Sequence, residues 1–90
     1  MTKIDDHTIL ADARLGAEEL EEIFDIKLPD GDFESVGGFI INMMGRIPKA
    51  GDELIYNNLK ILIKSADERR IDKALITLCD NQDEAEESFT

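Results

Sequence analysis

Ninety residues carrying 21 acidic and 10 basic side chains, a formal charge of −11, make one acidic domain. A chain of this length buries somewhat over ~60% of the surface that its unfolded form exposes. Its 42% hydrophobic content therefore supports a core, but not one that also encloses a large active-site cavity. The charge excludes nucleic acid and anionic lipid headgroups as partners, because binding to either gains most of its energy from cation–phosphate contacts.

Residues 1–6 are polar and are expected to be a disordered lead-in. From His7 to Leu15, Ile9, Ala11, Ala13 and Leu15 alternate with Thr8, Leu10, Asp12 and Arg14, which predicts a half-buried strand. His7 is the sole histidine, and no Ser, Cys or second His is spaced to partner it, so it reads as a surface residue. Gly16 ends the strand, and Ala17 to Phe24 predicts a short helix with Leu20, Ile23 and Phe24 as its buried stripe. Glu18, Glu19, Glu21 and Glu22 then form a solvated face, since adjacent helical positions do not converge on one point. In the connector from Asp25 to Glu34, the spacing of Asp30, Asp32 and Glu34 has the opening rhythm of a calcium loop. The glycine and the later bidentate glutamate of an EF-hand are missing, which leaves these three carboxylates as a candidate for weak divalent-cation binding only.

The stretch Ser35 to Asp52 organises the rest. It holds the densest apolar run and four of the six glycines. Ser35 is an N-cap, and Phe39, Ile40, Met43 and Ile47 recur at three- and four-residue steps, with Ile41 and Met44 beside them. A helix with only Asn42 polar between Val36 and Met44 is expected to be buried on most sides. Gly37 and Gly38 each cost roughly 1 kcal/mol in a helix interior, so something compensates. Either the missing side chains admit another backbone, or they open the first-turn amides to an anion. Close packing is the better supported, because no basic residue lies nearby. Gly45 suits a left-handed C-cap, and Pro48 prevents the helix from resuming. Arg46, just past the helix end, reads as a clamp on carbonyls or on Asp52. Gly51-Asp52 is a turn into the next strand.

Glu53 to Tyr56, Leu59 to Lys64 and Arg70 to Cys79 predict strands, with Asn57-Asn58 and Ser65 to Arg69 as the turns between them. Leu75 and Cys79 give the second face of the last strand some apolar character, which suggests that this face is covered too. Cys79 is the only cysteine, which rules out an internal disulfide or cysteine metal cluster and favours a reducing compartment. Residues 80–90, DNQDEAEESFT, are expected to be an acidic disordered tail. The start lacks a signal-peptide core, and no stretch approaches the ~20 apolar residues of a membrane span, so the expectation is a soluble chain without membrane insertion.

The fold class expected is α+β, a small, mainly antiparallel sheet of about four strands packed with two short helices. There is no glycine-rich dinucleotide motif, phosphate loop, Cys/His metal spacing or nucleophile elbow. The carboxylates lie on predicted solvated surfaces, where a pKa raised for acid catalysis is not expected. No catalytic residue is assigned.

Taken together, ILADARLGAEELEEIF, LPDGDFESVGGFIINMMGRIPKAGDEL and RRIDKALI resemble one family, the transporter-associated domain at the C-terminal end of CorC/HlyC-type, hemolysin-like proteins. The resemblance spans residues 7–79 as a domain, and its most specific part is Gly37-Gly38, Gly45-Arg46-Ile47-Pro48 and Gly51-Asp52. Ala13 stands where the family commonly has glycine, and Ser35 where threonine is usual. The resemblance implies a regulatory module, not an enzyme, on the cytoplasmic side of a magnesium/cobalt ion-transport protein. Its partners would be the CBS pair and membrane domains of that parent, with a homodimer also open. It implies no catalytic residues. Because the fold class is related to part of the flavin-binding domain of certain oxidases, FAD or an adenine nucleotide is the alternative ligand. Gly37, Gly38, Gly45 and Arg46 are the candidate contacts.

Overall fold

The structure, a computed structural model, describes residues 1–79; the segment 80–90, and with it the expectation of a disordered tail, lies outside the described residues. Seven elements follow in chain order: β1 (Thr2–Asp5), β2 (Thr8–Asp12), α1 (Ala17–Phe24), α2 (Val36–Met44), β3 (Glu53–Tyr56), β4 (Leu59–Ala66) and β5 (Ile71–Leu78). The strands form one sheet in the order β1-β2-β5-β4-β3, with every neighbouring pair antiparallel. This is the α+β architecture expected, with five strands where about four were predicted.

The extra strand is β1, in the stretch expected to be a disordered lead-in. All four of its residues are exposed, so no apolar alternation announces it. It exists through edge pairing: Thr2 lies opposite Leu10, Lys3 opposite Ile9 and Asp5 opposite Thr8, with a register shift between Lys3 and Asp5. The turn into β2 is closed by the His7 amide, which donates to Asp5 Oδ1 at 2.8 Å.

Side-chain alternation gives the sheet two faces. Ile9, Ile76 and Ile61 sit opposite one another on β2, β5 and β4, and all three are at most 2% exposed. With Ala11, Ala74, Leu59 and Ile63 they form the inner face, onto which the helices pack Leu20, Phe24, Val36, Phe39 and Ile40. Each aliphatic or aromatic side chain fully withdrawn from water here contributes about 1.5–3 kcal/mol before entropy is counted.

Helix α1 has the predicted limits but a different stripe. Ala17, Leu20 and Phe24 face the core, and Ile23 is 37% exposed, one step around the helix from where it was expected. Glu21 also departs from the solvated face assigned to it. It is half-buried, and its Oε2 accepts from the Leu28 amide at 2.8 Å, tying the connector to the helix.

Helix α2 starts and stops at its predicted signals. Ser35 Oγ accepts from the Gly38 amide at 3.2 Å, and Gly45 closes the helix in the left-handed conformation, φ 75°. Val36, Gly37, Phe39 and Ile40 are buried. Burial on most sides is not observed, however: Asn42 and Met43 are exposed and Ile41 and Met44 half-buried. The core lies on one flank of the helix only, with nothing among the described residues covering the other. At the buried flank the helix backbone comes against the turn just after β2, where a Cβ on Gly37 would lie 2.9 Å from Ala13 Cβ and 3.1 Å from Ala13 O. Phe39 is locked between two aromatic rings, Phe33 at 5.3 Å and Tyr56 at 5.7 Å, both edge-on. That cluster joins the connector, α2 and β3, and the sequence pattern did not reveal it.

Candidate interaction surface

The residues singled out as ligand candidates sit at separate places. In the first turn of α2 the amides already have acceptors: Val36 N donates to Leu15 O at 2.8 Å, Gly37 N to Ala13 O at 2.9 Å and Gly38 N to Ser35 Oγ. These bonds stitch the starts of α1 and α2 together, reinforced by Ala17 N donating to Glu34 O at 2.9 Å. Gly45 and Arg46 lie at the other end of α2, seven residues or roughly 10 Å away along the axis. Arg46 Nη1 is committed to Asp52 Oδ2 at 3.1 Å, and the same oxygen accepts from the Lys49 amide at 2.9 Å. Asp52 is the hub of the 45–52 loop: its own carbonyl accepts from Ile63 N at 2.9 Å, fixing the loop to β4. The Lys49 amide, and then Arg46, hold its carboxyl below the usual carboxylate value. Asp30, Asp32 and Glu34 are all exposed on the connector, and among the described residues no cluster of three or more His, Cys, Asp or Glu side chains is arranged around a common point.

A shallow groove of ≈ 360 Å³ lies at one end of the sheet, between Asp12, Arg14, Ser65, Asp67, Arg70 and Asp72. Its carboxylates are held by local bonds. Asp12 Oδ1 accepts from the Arg14 amide at 2.9 Å, Asp67 Oδ1 from the Arg69 and Arg70 amides at 2.8 and 2.9 Å, and Asp72 Oδ2 from Ser65 Oγ at 2.9 Å. The amide bonds push Asp12 and Asp67 down, so both are ionised at neutral pH and neither carries the proton that a general acid needs.

The outer face of the sheet is different in kind. No helix covers it among the described residues. In register across it stand Leu10, Leu75 and Leu62, one from each of three adjacent strands and all half-buried; on β3 the residue opposite Leu62 is Glu53, and Ile55, opposite Lys60, is 68% exposed. Thr8 and Thr77, whose hydroxyls lie 3.3 Å apart, flank the leucine row on one side, next to Lys60. Asp12 and Lys73 flank it on the other. An antiparallel sheet with one solvated face normally alternates apolar-in and polar-out. Here the middle of the outward face breaks that rule. Leu75 was the sequence signal; Leu10, Leu62 and Ile55 join it only once the register is known. The short edge strands β1 and β3 also leave unpaired backbone groups at the sheet margins.

Fold and surface define a small α+β domain with an apolar row on an uncovered sheet face. The family model described as the transporter associated domain, CorC_HlyC, matches residues 2–80, and the chain belongs to that family. The magnesium and cobalt efflux protein CorC of Pasteurella multocida is 30% identical over 76 residues, covering 84% of this chain and 25% of its own length. A polyamine export protein of Salmonella typhimurium is 31% identical over 80 residues, covering 87% of this chain and 18% of its own length. This chain thus spans a quarter or less of these two relatives. Among solved structures, the CorC-associated region from Neisseria meningitidis superposes with a TM-score of 0.80 at 19% identity, covering 86% of this chain and 95% of that one. The family is a transporter-associated domain, and its relatives carry the domain as one part of longer proteins. No helix among the described residues is long and apolar enough to cross a membrane.

Proposed function

We propose that this domain is the non-catalytic regulatory module of a CorC-type ion-transport protein. It works on the cytoplasmic side by docking against the CBS pair and membrane domains of its parent. Membership of the family supports the setting, and the name of one relative, a magnesium and cobalt efflux protein, supports export of those ions, while the other is named for polyamine export. Residues 7–79, extended by β1, act as the docking unit. The single observation that carries the mechanism is the leucine row on the uncovered outer face of the sheet: the part of the molecule with most to gain from a partner holds no reactive cluster.

The test is made in the longer protein that carries the domain. Leu62→Lys with Leu75→Lys places charge on the outer face and leaves the inner core intact. Efflux of magnesium or cobalt from cells is expected to change several-fold, with membrane abundance of the protein unaltered. Efflux matching wild type would overturn the docking role.

A further inference from the structure

We propose that the outer face of the sheet takes the helix side of a second copy of this domain, in a head-to-tail contact. The inference rests on the reading of that face as a docking surface, adds a neighbouring parent's copy of this domain to the surfaces it docks against, and is independent of what the parent transports.

The two sides of the molecule are chemically complementary. Lys60, Lys64 and Lys73, three of the six lysines in a strongly acidic chain, surround the Leu10–Leu75–Leu62 row on the sheet side. Lys60 and Lys73 are held only by long pairs, to Glu53 at 3.6 Å and Asp12 at 4.0 Å, with all four side chains at least a third exposed. Such pairs are worth little and exchange partners readily. On the helix side, residues 16–34 carry eight acidic residues against the single Lys27. Helix α1 turns Ala17, Leu20 and Phe24 into the core, leaving Glu18, Glu19, Glu22 and the exposed Ile23 on its free flank. Ile23 sits one helical turn from Glu19 and beside Glu22, an apolar centre with carboxylates around it. It faces a leucine centre edged by three ammonium groups and by Asp12 and Glu53, the two carboxylates that Lys73 and Lys60 loosely hold.

A symmetric, sheet-to-sheet pair fits less well. With the two-fold axis along the leucine row, Lys60 of one copy meets Lys64 of the other; with the axis along β5, Lys73 meets Lys73. Like charges directly opposite are unfavourable, whereas head to tail the lysines are set against a strongly acidic surface. Helix α1 is only eight residues, about 12 Å long, so the contact falls in the small, transient class. The two acidic bodies also repel at long range until salt screens them beyond roughly 8–10 Å. Association is therefore weak, greatest at moderate ionic strength, and falls off both at low salt and at high salt.

Sedimentation equilibrium of the domain, over a range of concentrations and salt, reads this directly. A sheet-side variant, Leu62→Glu with Lys64→Glu, and a helix-side variant, Glu18→Gln, Glu22→Gln and Ile23→Ser, alter only exposed or half-buried positions. Thermal melts verify that each is folded. Wild type is expected to grow in mass with concentration, with the salt optimum above, and each variant alone to stay monomeric. Mixed one to one, the variants are expected to form a complex that stops at two chains, because each keeps one intact half. A wild type that is monomeric throughout overturns the proposal, and leaves the outer face to a different protein. So does association that survives the helix-side variant, or a mixture that stays monomeric. Efflux by the parent can fail its own test while this one succeeds, and the reverse.

Discussion

Gly37 and Gly38 are neighbours in one helix turn, yet the space around them differs. A methyl at Gly37 meets Ala13 Cβ at 2.9 Å and the Ala13 carbonyl at 3.1 Å, in the turn just after β2, where backbone bonds from Ala13 N to Asp72 O and from Gly37 N to Ala13 O hold the chain in place. A methyl at Gly38 meets Phe33 Cβ at 3.2 Å, a single tight contact that a shift of a few tenths of an ångström relieves. Gly37→Ala is thus expected to lose about 1–3 kcal/mol to overpacking. At Gly38→Ala the gain of roughly 1 kcal/mol in helix propensity offsets the crowding, leaving stability within about 0.5 kcal/mol of wild type. Denaturant melts of both variants check the contrast, and equal losses would show that the close approach at Ala13 does not matter. Titration belongs to this scale too. Asp5, Asp12, Asp52 and Asp67 all have carboxyls lowered from 3.8, in each case mainly by a bond from a nearby backbone amide. A carboxyl lowered in the fold binds its proton more readily when unfolded. Its stabilisation is complete above about pH 4 and disappears as pH falls through the folded values. Melting temperature followed by circular dichroism is expected to fall from about pH 4 downward, and Asp52→Asn to flatten part of that fall. A melting temperature that rises over the same range contradicts the assignment.

Among the elements, α2 depends most on what the sequence does not state. Among the described residues its aromatic lock is Phe39 between Phe33 and Tyr56, residues six before and seventeen after it in the chain. Phe39→Ala is expected to cost about 3–5 kcal/mol and, by freeing the connector, to speed amide exchange at Leu28 and Val36 more than at Ile9. Uniform exchange across these sites would mean that the ring only fills volume. The limits of α1 and α2 were legible because caps are local: Ser35, Gly45 and Pro48 act within a turn of themselves. The strands β2, β4 and β5 were legible through alternation. Strand β1 was not, because none of its side chains is buried and its order comes from a partner's register. Ile23 and Glu21 were misplaced for a related reason. Periodicity gives the width of a stripe, but the core sets its centre, and here Ala17 takes one margin while Glu21 serves the connector at the other. The ligand candidates were legible as residue types, but not as engaged groups. The partners of the α2 amides, Leu15 and Ala13, lie across a chain reversal from them.

At the scale of the whole molecule, the contact surface was the least legible feature. Leu10, Leu62 and Leu75 are scattered over 65 residues and become one row only through the pairings of β2 with β5 and β5 with β4. The same pairings decide how the molecule is put together in time. Strand β5, last to be made, lies in the middle of the sheet, and it alone bonds the β1–β2 ribbon to the β3–β4 ribbon. A nascent chain leaving the ribosome therefore holds two unjoined hairpins until Ile71 to Leu78 emerges as the keystone between them. Both the isoleucine row and the leucine row are completed in that one late event.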